Sequence, residues 1–394
     1  MPTIIQTQRE LAAFCEQLRN APAVCLDTEF AGEGRYYPEL GTIQIAAGDQ
    51  IALIDPLAVR DVSALLPCLT DHEIVKVFHA GEQDLAIFYR LLGCAVTPVF
   101  DAQIAAALLG YGDQVSFRTL LEVTLSVKLE KAHTFTDWLR RPLSESQLEY
   151  ALDDVRYLGG IYARLNDDLR EKGRVEWARE EFSHLEDPER FRPPDERQLY
   201  LRLKGAERLS TPALGLLQEL VAWREQMARK LNLPPGRIVM DPVLIELARR
   251  PRKTIRDLTE VRGLNSRQIE KFGAGVLEAL RRGVRNAPPP VRREFPLRRS
   301  LEPTVDFLSL CLRAVSVERS VSTGILANRA DLAALAAFGD RAEIALLSGW
   351  RRQAAGEALL AALEGQVVAR IVPSTREVHL EWQDEVRRPR AEGL

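Results

Sequence analysis

Residues Val24-Cys25-Leu26-Asp27-Thr28-Glu29-Phe30 form an apolar run that closes on two carboxylates one residue apart. In an extended strand residues i and i+2 point to one face, so Asp27 and Glu29 can converge on a single point. Paired carboxylates repel each other and take up protons unless a cation lies between them, and hard oxygen ligands suit Mg²⁺ or Mn²⁺. In a chain with 56 acidic residues such a triplet also reads as a solvated strand end. Three further residues give it weight. Asp84 stands where the strand-like run 74–78 passes through His79-Ala80-Gly81 into a helical segment, and Tyr150 and Asp154 stand four apart on one face of another. Asp153, turned about 100° from Asp154, is expected to face solvent. Four carboxylates suffice for two divalent cations about 4 Å apart, an arrangement suited to in-line phosphoryl displacement. Tyr150, a phenol titrating near 10, is a poor base at neutral pH but can orient a water.

These residues need a scaffold. The chain has 394 residues, 46% of them apolar, which predicts two or three domains. No run of about eighteen uncharged apolar residues occurs, and the N-terminus lacks a basic start followed by an apolar run, so an unexported, cytoplasmic protein is expected. Five scattered cysteines without a C-x-x-C pair argue against a disulfide framework or zinc site and for a reducing compartment. The net charge of −3 hides an asymmetry: residues 1–190 carry 18 basic against 31 acidic side chains, the remainder 35 against 25. An acidic part that needs cations, joined to a basic part that attracts phosphate, fits an enzyme acting on nucleic acid.

The periodicities predict a helix over 8–18, an antiparallel meander of strands at 23–26, 42–47 and 50–54, a helix over 62–69, and a strand over 74–78 followed by a helix to Leu92. A strand at Val99-Phe100 and helices over 101–109, 117–124 and 144–165 complete a mixed-sheet α/β domain over 1–190, with Ser144 and Gln147 as a capping box. The polar, proline-rich segment 186–194 marks a boundary; residues 191–210 read as a linker, 211–286 as a small helical unit, 287–300 as a second linker, 301–372 as a second helical unit and 373–394 as a disordered tail.

The motif order Asp27-x-Glu29, His79-Ala80-Gly81-x-x-Asp84, Tyr150-x-x-x-Asp154 resembles the tyrosine branch of the DEDD exonuclease superfamily. The surrounding text, Tyr36-Tyr37-Pro38-x-Leu40-Gly41-x-Ile43-Gln44, Asp137-Trp138-x-x-Arg141-Pro142-Leu143 and Tyr157-Leu158 after Asp154-Val155, is similar to ribonuclease D. Residues 211–285 resemble an HRDC domain, a nucleic-acid-binding module, and 301–372 a diverged second copy. The resemblance implies α/β plus all-α architecture: an RNase H-like mixed-sheet exonuclease domain followed by two small helical HRDC-like domains. It also implies two Mg²⁺ or Mn²⁺ ions on Asp27, Glu29, Asp84 and Asp154, and 3′→5′ release of nucleoside 5′-monophosphates from RNA, tRNA precursors above all. No membrane and no obligate protein partner are expected.

Candidate substrate contacts are His79, which either reaches a phosphate or ribose or is satisfied by backbone, and Phe30, which either stacks on the terminal base or is core. Lys128 and Lys131 are either phosphate contacts or a solvated basic turn. Arg249, Arg250, Arg252, Lys253 and Arg256 form the densest basic cluster of the first helical unit, followed by the turn Val261-Arg262-Gly263-Leu264. Arg252 and Lys253 are the RNA contacts expected there. Two other functions fit the same residues: a DNA-directed 3′→5′ exonuclease, because the 2′-OH contact cannot be read, and a catalytically silent RNA-binding scaffold.

Overall fold

The computed structural model describes residues 3–129, 137–285 and 299–383. They divide into two compact units, one of residues 3–29, 41–129, 137–190 and 299–383, the other of residues 30–40 and 191–285.

A six-stranded sheet organises the first unit: β1 (Thr3–Ile5), β2 (Ala23–Ala31), β3 (Glu39–Ala47), β4 (Gln50–Ile54), β5 (Val75–Phe78) and β6 (Val99–Asp101), in the order β1-β4-β3-β2-β5-β6. The β3–β4 pair is antiparallel, while β1–β4, β2–β5 and β5–β6 are parallel, so the sheet is mixed. β2 lies in the middle, between β3 and β5. Its first half, Val24–Leu26, is buried, and the two carboxylates follow where it emerges from the core. Edge strand β1 has three residues, too few to show alternation in the sequence.

The helices of this part are α1 (Gln8–Leu18), α2 (Glu82–Leu92), α3 (Ala102–Leu108), α4 (Phe117–Leu125), α5 (Glu145–Arg156), α6 (Leu158–Glu171) and α7 (Val175–Glu186). The helix expected over 62–69 is present as a 3₁₀ turn, Ser63–Leu65, that runs on into a short α-helix, Leu66–Thr70, and a further short helix, Pro56–Val59, precedes it. The helix expected over 144–165 breaks at Tyr157 into α5 and α6. Gly159 and Gly160 follow the break, where glycine weakens a helix. A Cβ on Gly160 would meet the Leu125 Cδ1 methyl at 2.9 Å, so that methyl would have to shift, whereas one on Gly159 would make only ordinary contact with the Cys25 sulfur at 3.6 Å.

The second unit is built on α8 (Thr211–Leu231), α9 (Asp241–Arg249) and α10 (Ser266–Arg285) around Leu217, Leu220, Leu244, Leu258 and Val276. The segment 191–210, expected as a linker, is part of this core: Tyr200, Leu203, Ala206 and Leu209 are buried in it, an apolar side chain every third residue. Residues 30–40 also pack here. The Tyr36 hydroxyl donates to Glu225 and accepts from Arg229 Nε at 3.1 Å, and the Tyr37 amide donates to Asn232 Oδ1 at 2.8 Å.

The remaining elements, α11 (Glu302–Arg319), α12 (Arg329–Phe338), α13 (Glu357–Leu363) and the hairpin β7 (Val367–Ile371) with β8 (Val378–Trp382), return to the first unit. Residues 301–372 were expected to stand apart, but Leu308, Leu312, Leu335, Leu346 and Leu359 share one core with Phe100, Ala105, Leu165 and Phe182. Polar anchors fix the join. The Arg174 guanidinium donates to the carbonyls of Leu108 (2.7 Å), Ser320 (2.9 Å) and Arg319, and Glu181 accepts from Arg351 (2.5 and 2.7 Å) and from the Trp350 indole (2.7 Å). An Ala/Leu-rich apolar stripe shows that a helix has a buried face, not which partner covers it. Within the expected tail, β8 is ordered by pairing with β7; the part beyond residue 383 and the linker 286–298 lie outside the described residues.

Candidate active site

Strand alternation does what the sequence requires: Asp27 and Glu29 share a face of β2, while Thr28 between them is buried. Asp154 comes from α5, whose first turn is set by the reciprocal Ser144–Gln147 capping box. One carboxylate oxygen each from Asp27, Glu29 and Asp154 lie within 4.8 Å of one another. Asp84, on the first turn of α2, is buried and accepts a hydrogen bond from the Thr28 hydroxyl.

Burial and crowding raise the proton affinity of all four. Asp27 is pushed well above the usual carboxylate range by desolvation and then by the charges of Asp84, Asp154 and Glu29. Glu29 is pushed up to about 8 by burial and then by Asp154 and Asp84. Asp154 rises to about 7 through burial and the neighbouring Asp153, opposed by Arg118. Asp84 rises to about 6 through burial, opposed by the Thr28 hydrogen bond. Convergent oxygen ligands with excess negative charge are what a hard divalent cation stabilises in place of protons, so the donor set fits Mg²⁺ or Mn²⁺.

Tyr150 lies one turn before Asp154. Burial, followed by the charges of Asp154, Glu29 and Asp27, holds its phenol above its ordinary value, so the hydroxyl keeps its proton at neutral pH. Its ring leans on Trp138 at 6.0 Å. Trp138 is held in turn by Arg141, which donates to the Trp138 carbonyl (2.9 Å), the Gly41 carbonyl (2.7 Å) and both oxygens of buried Asp55 (2.7 and 2.8 Å). Position 41 must be glycine because a Cβ there would sit 2.7 Å from the Trp138 Cβ. Asp153, expected to be solvated, is half-buried and paired with Arg156, three residues along the helix.

Two supporting residues escaped the sequence reading. Asp101, 2% exposed, caps α3 by accepting from the Gln103 (2.8 Å) and Ile104 (3.2 Å) amides, and also accepts from Gly81 (2.8 Å) and Ala80 (3.3 Å). It thereby clamps the loop that launches Asp84. The loop is tight: Ala80 has φ +56°, and a Cβ on Gly81 would meet Phe78 at 2.5 Å. An aspartate closing a strand before an alanine-rich helix was the available signal. Arg118, on the first turn of α4, is the cation whose charge bears on both Asp154 and Tyr150.

Of the candidate substrate contacts, His79 turns edge-on to Phe117 at 5.6 Å and is engaged by the Val115 backbone, and burial lowers its proton affinity. Phe30 follows Glu29 on β2, and alternation sets it on the opposite strand face. Lys128 pairs with Glu122 at 3.0 Å, and Lys131 lies outside the described residues. Arg252 and Lys253 belong to the second unit: Arg252 faces Glu260 at 3.6 Å, and Lys253 is exposed.

Comparison with known proteins agrees with this geometry. Residues 2–170 match the family model described as a 3′-5′ exonuclease, and residues 213–280 match the HRDC domain. Ribonuclease D of Sphingobium indicum is 38% identical over 375 residues, spanning 92% of this chain and 95% of that one. Ribonuclease D of Granulibacter bethesdensis is 38% identical over 373 residues, spanning 93% of each. The crystal structure of Escherichia coli RNase D, described as an exoribonuclease involved in structured RNA processing, matches with a TM-score of 0.82 at 31% identity, covering 93% of this chain and 99% of that one. With relatives this similar along nearly its whole length and three of the motif carboxylates, Asp27, Glu29 and Asp154, gathered at the end of β2, the chain belongs to the ribonuclease D family and is a 3′→5′ exoribonuclease.

Proposed function

We propose that this exoribonuclease trims 3′-terminal nucleotides from tRNA precursors by hydrolysis with two divalent cations, Mg²⁺ or Mn²⁺. The observation that carries the reading is the convergence of Asp27, Glu29 and Asp154 within 4.8 Å, with Asp84 close enough to raise the proton affinity of both β2 acids. Asp27, Glu29, Asp84 and Asp154 are the residues that would hold the cations. When bound, the cations supply Lewis acidity and neutralise charge at the scissile phosphate.

The chain's own residues do the rest. Tyr150, protonated and at the margin of the cluster, hydrogen-bonds the attacking water and aims it at phosphorus. The 3′ oxygen of the penultimate nucleotide leaves, and a nucleoside 5′-monophosphate is released. Thr28 donates its hydroxyl to one Asp84 oxygen and so fixes the orientation of that carboxylate. Arg118, the cation felt at Asp154 and Tyr150, offsets part of the negative charge that a polyanion meets on approach.

In this reading the chain works in the cytoplasm; among the described residues no helix is long and apolar enough to cross a membrane. Precursor tRNA fits a relative described as acting in structured RNA processing. The test is calorimetric titration of Mn²⁺ into the full chain, alongside trimming of a 3′-extended tRNA. Two binding events, lost or reduced to one in Asp27→Asn together with activity, support the reading. Undiminished binding in Asp27→Asn overturns the ligand assignment.

A further inference from the structure

The densest run of basic residues in the second unit is weakened by its own acids: Arg250 faces Glu246 at 3.7 Å and Arg252 faces Glu260 at 3.6 Å. A different surface of the same unit keeps its charge. Between the short helix Pro235–Ile238 and the start of α10 lies a cleft of about 630 Å³ that holds Arg237, Arg267 and Lys271 and has no carboxylate in its lining. All three cations are exposed, and none forms a salt bridge with a described residue. The volume falls within the ~300–1,000 Å³ range of ligand clefts.

The walls suit a strand rather than a small apolar molecule. Gly236 and Gly263 expose backbone, and Gly263 has no room for a side chain: its φ is +96° and a Cβ would meet Val243 at 2.8 Å. Met240, 48% exposed, offers a soft apolar shelf to a base or ribose. Lys271 is steadied 5.2 Å from the Phe272 ring. The α10 amide at Gln268 is already taken by the Asn265 side chain (2.8 Å), so the attraction for an anion comes from the three side chains.

We propose that this cleft is a phosphodiester subsite that holds single-stranded RNA of the substrate, and that it, rather than the Arg249–Arg256 cluster, carries the RNA affinity of the second unit. The proposal rests on RNA being the substrate. Three unpaired cations in a carboxylate-free groove attract consecutive phosphates without reading sequence.

The test uses the full chain with Arg237, Arg267 and Lys271 all changed to glutamine, beside a control in which Arg249, Arg250 and Arg256 are changed in the same way. Binding of a 5′-labelled 20-nucleotide single-stranded RNA is measured in EDTA across a salt series, and kcat/KM on a trinucleotide is measured with Mn²⁺. Each single-strand phosphate contact contributes about 0.7 to the slope of log affinity against log salt, so the cleft variant should lower that slope by about 2 and weaken binding by roughly tenfold or more. Trinucleotide turnover should not change, and the control should retain most of its affinity. Equal affinity and slope in the cleft variant, or an equal loss in the control, overturns the proposal. Absence of trinucleotide turnover in the unaltered chain would instead count against the exonuclease site, with the binding comparison still standing. Since all three side chains are exposed, thermal unfolding should be unchanged; if it is not, Lys271→Gln alone, expected to lower the slope by about 0.7, decides the question.

Discussion

Removing the Glu181 carboxylate should destabilise the join between the nuclease part and the C-terminal helices by several kcal/mol. Glu181 is 8% exposed and accepts three hydrogen bonds, two from Arg351 and one from the Trp350 indole. In Glu181→Ala the guanidinium keeps one bond, from its Nε to the Ile325 carbonyl at 2.8 Å, and the indole N–H loses its acceptor. Breaking one side of a buried ion pair costs about 3–5 kcal/mol, and at about 2–4 °C per kcal/mol for a large domain the midpoint should fall by roughly 10 °C. Glu181→Gln keeps the shape and one acceptor and should cost about 2 kcal/mol. The double change Glu181→Ala/Arg351→Ala should recover part of the loss, because no uncompensated guanidinium remains buried. Trp177 stacks on Trp350 at 4.9 Å, so tryptophan fluorescence reports directly on the join during urea or thermal unfolding. Because the core is continuous, the nuclease and C-terminal helices should unfold together. A Glu181→Ala protein with an unshifted midpoint, or one in which the C-terminal helices melt early and leave the nuclease transition in place, would refute the shared-core account.

The acid cluster predicts a pH signature. Folded-state values of about 8 for Glu29, about 7 for Asp154 and about 6 for Asp84 lie above ordinary carboxylate values, so the metal-free fold is fully stable with respect to these groups below about pH 4 and loses stability as pH rises from about 4 to about 8. Thermal midpoints in EDTA should therefore fall over that window, less in Asp27→Asn than in the unaltered chain, and Mn²⁺ should restore them; parallel pH curves for the two proteins would contradict this. Tyr150→Phe should retain Mn²⁺ affinity by calorimetry while kcat falls about 10²-fold, and full activity would remove the water-orienting role from the phenol. Asp101→Asn keeps the shape but can accept through one oxygen only, so the Ala80–Gly81 loop should loosen; kcat and cation affinity should fall with little change in KM, and unchanged cation affinity would limit Asp101 to capping α3.

Part of this was legible in the sequence for definite reasons. Asp27 and Glu29 converge because a strand has a period of two, and Asp154 rather than Asp153 joins them because a helix has a period near four. Both periods are local, so residues alone reveal them. Asp101 was hidden because its role is long-range: its partners at 80 and 81 are twenty residues away. The same holds for Tyr200 and Leu209, which follow Pro193-Pro194 in a segment that reads as a linker until α8 and α10 cover them, and for the Ala/Leu-rich helices after residue 301, whose apolar faces do not state whether they bury one another or the nuclease. In the basic cluster the sequence shows charge density but not neutralisation; Glu260 is eight residues from Arg252 and meets it only in the fold.

The most direct test of the central claim is a time course on 5′-labelled, 3′-extended tRNA and on the same sequence as DNA, with Mg²⁺, with Mn²⁺ and with EDTA, for the unaltered chain and Asp27→Asn. A ladder shortening from the 3′ end of RNA, dependent on metal and absent in Asp27→Asn, is the predicted result. Cleavage that persists in EDTA or in Asp27→Asn, a strong preference for DNA, or RNA binding without any cleavage would contradict the account.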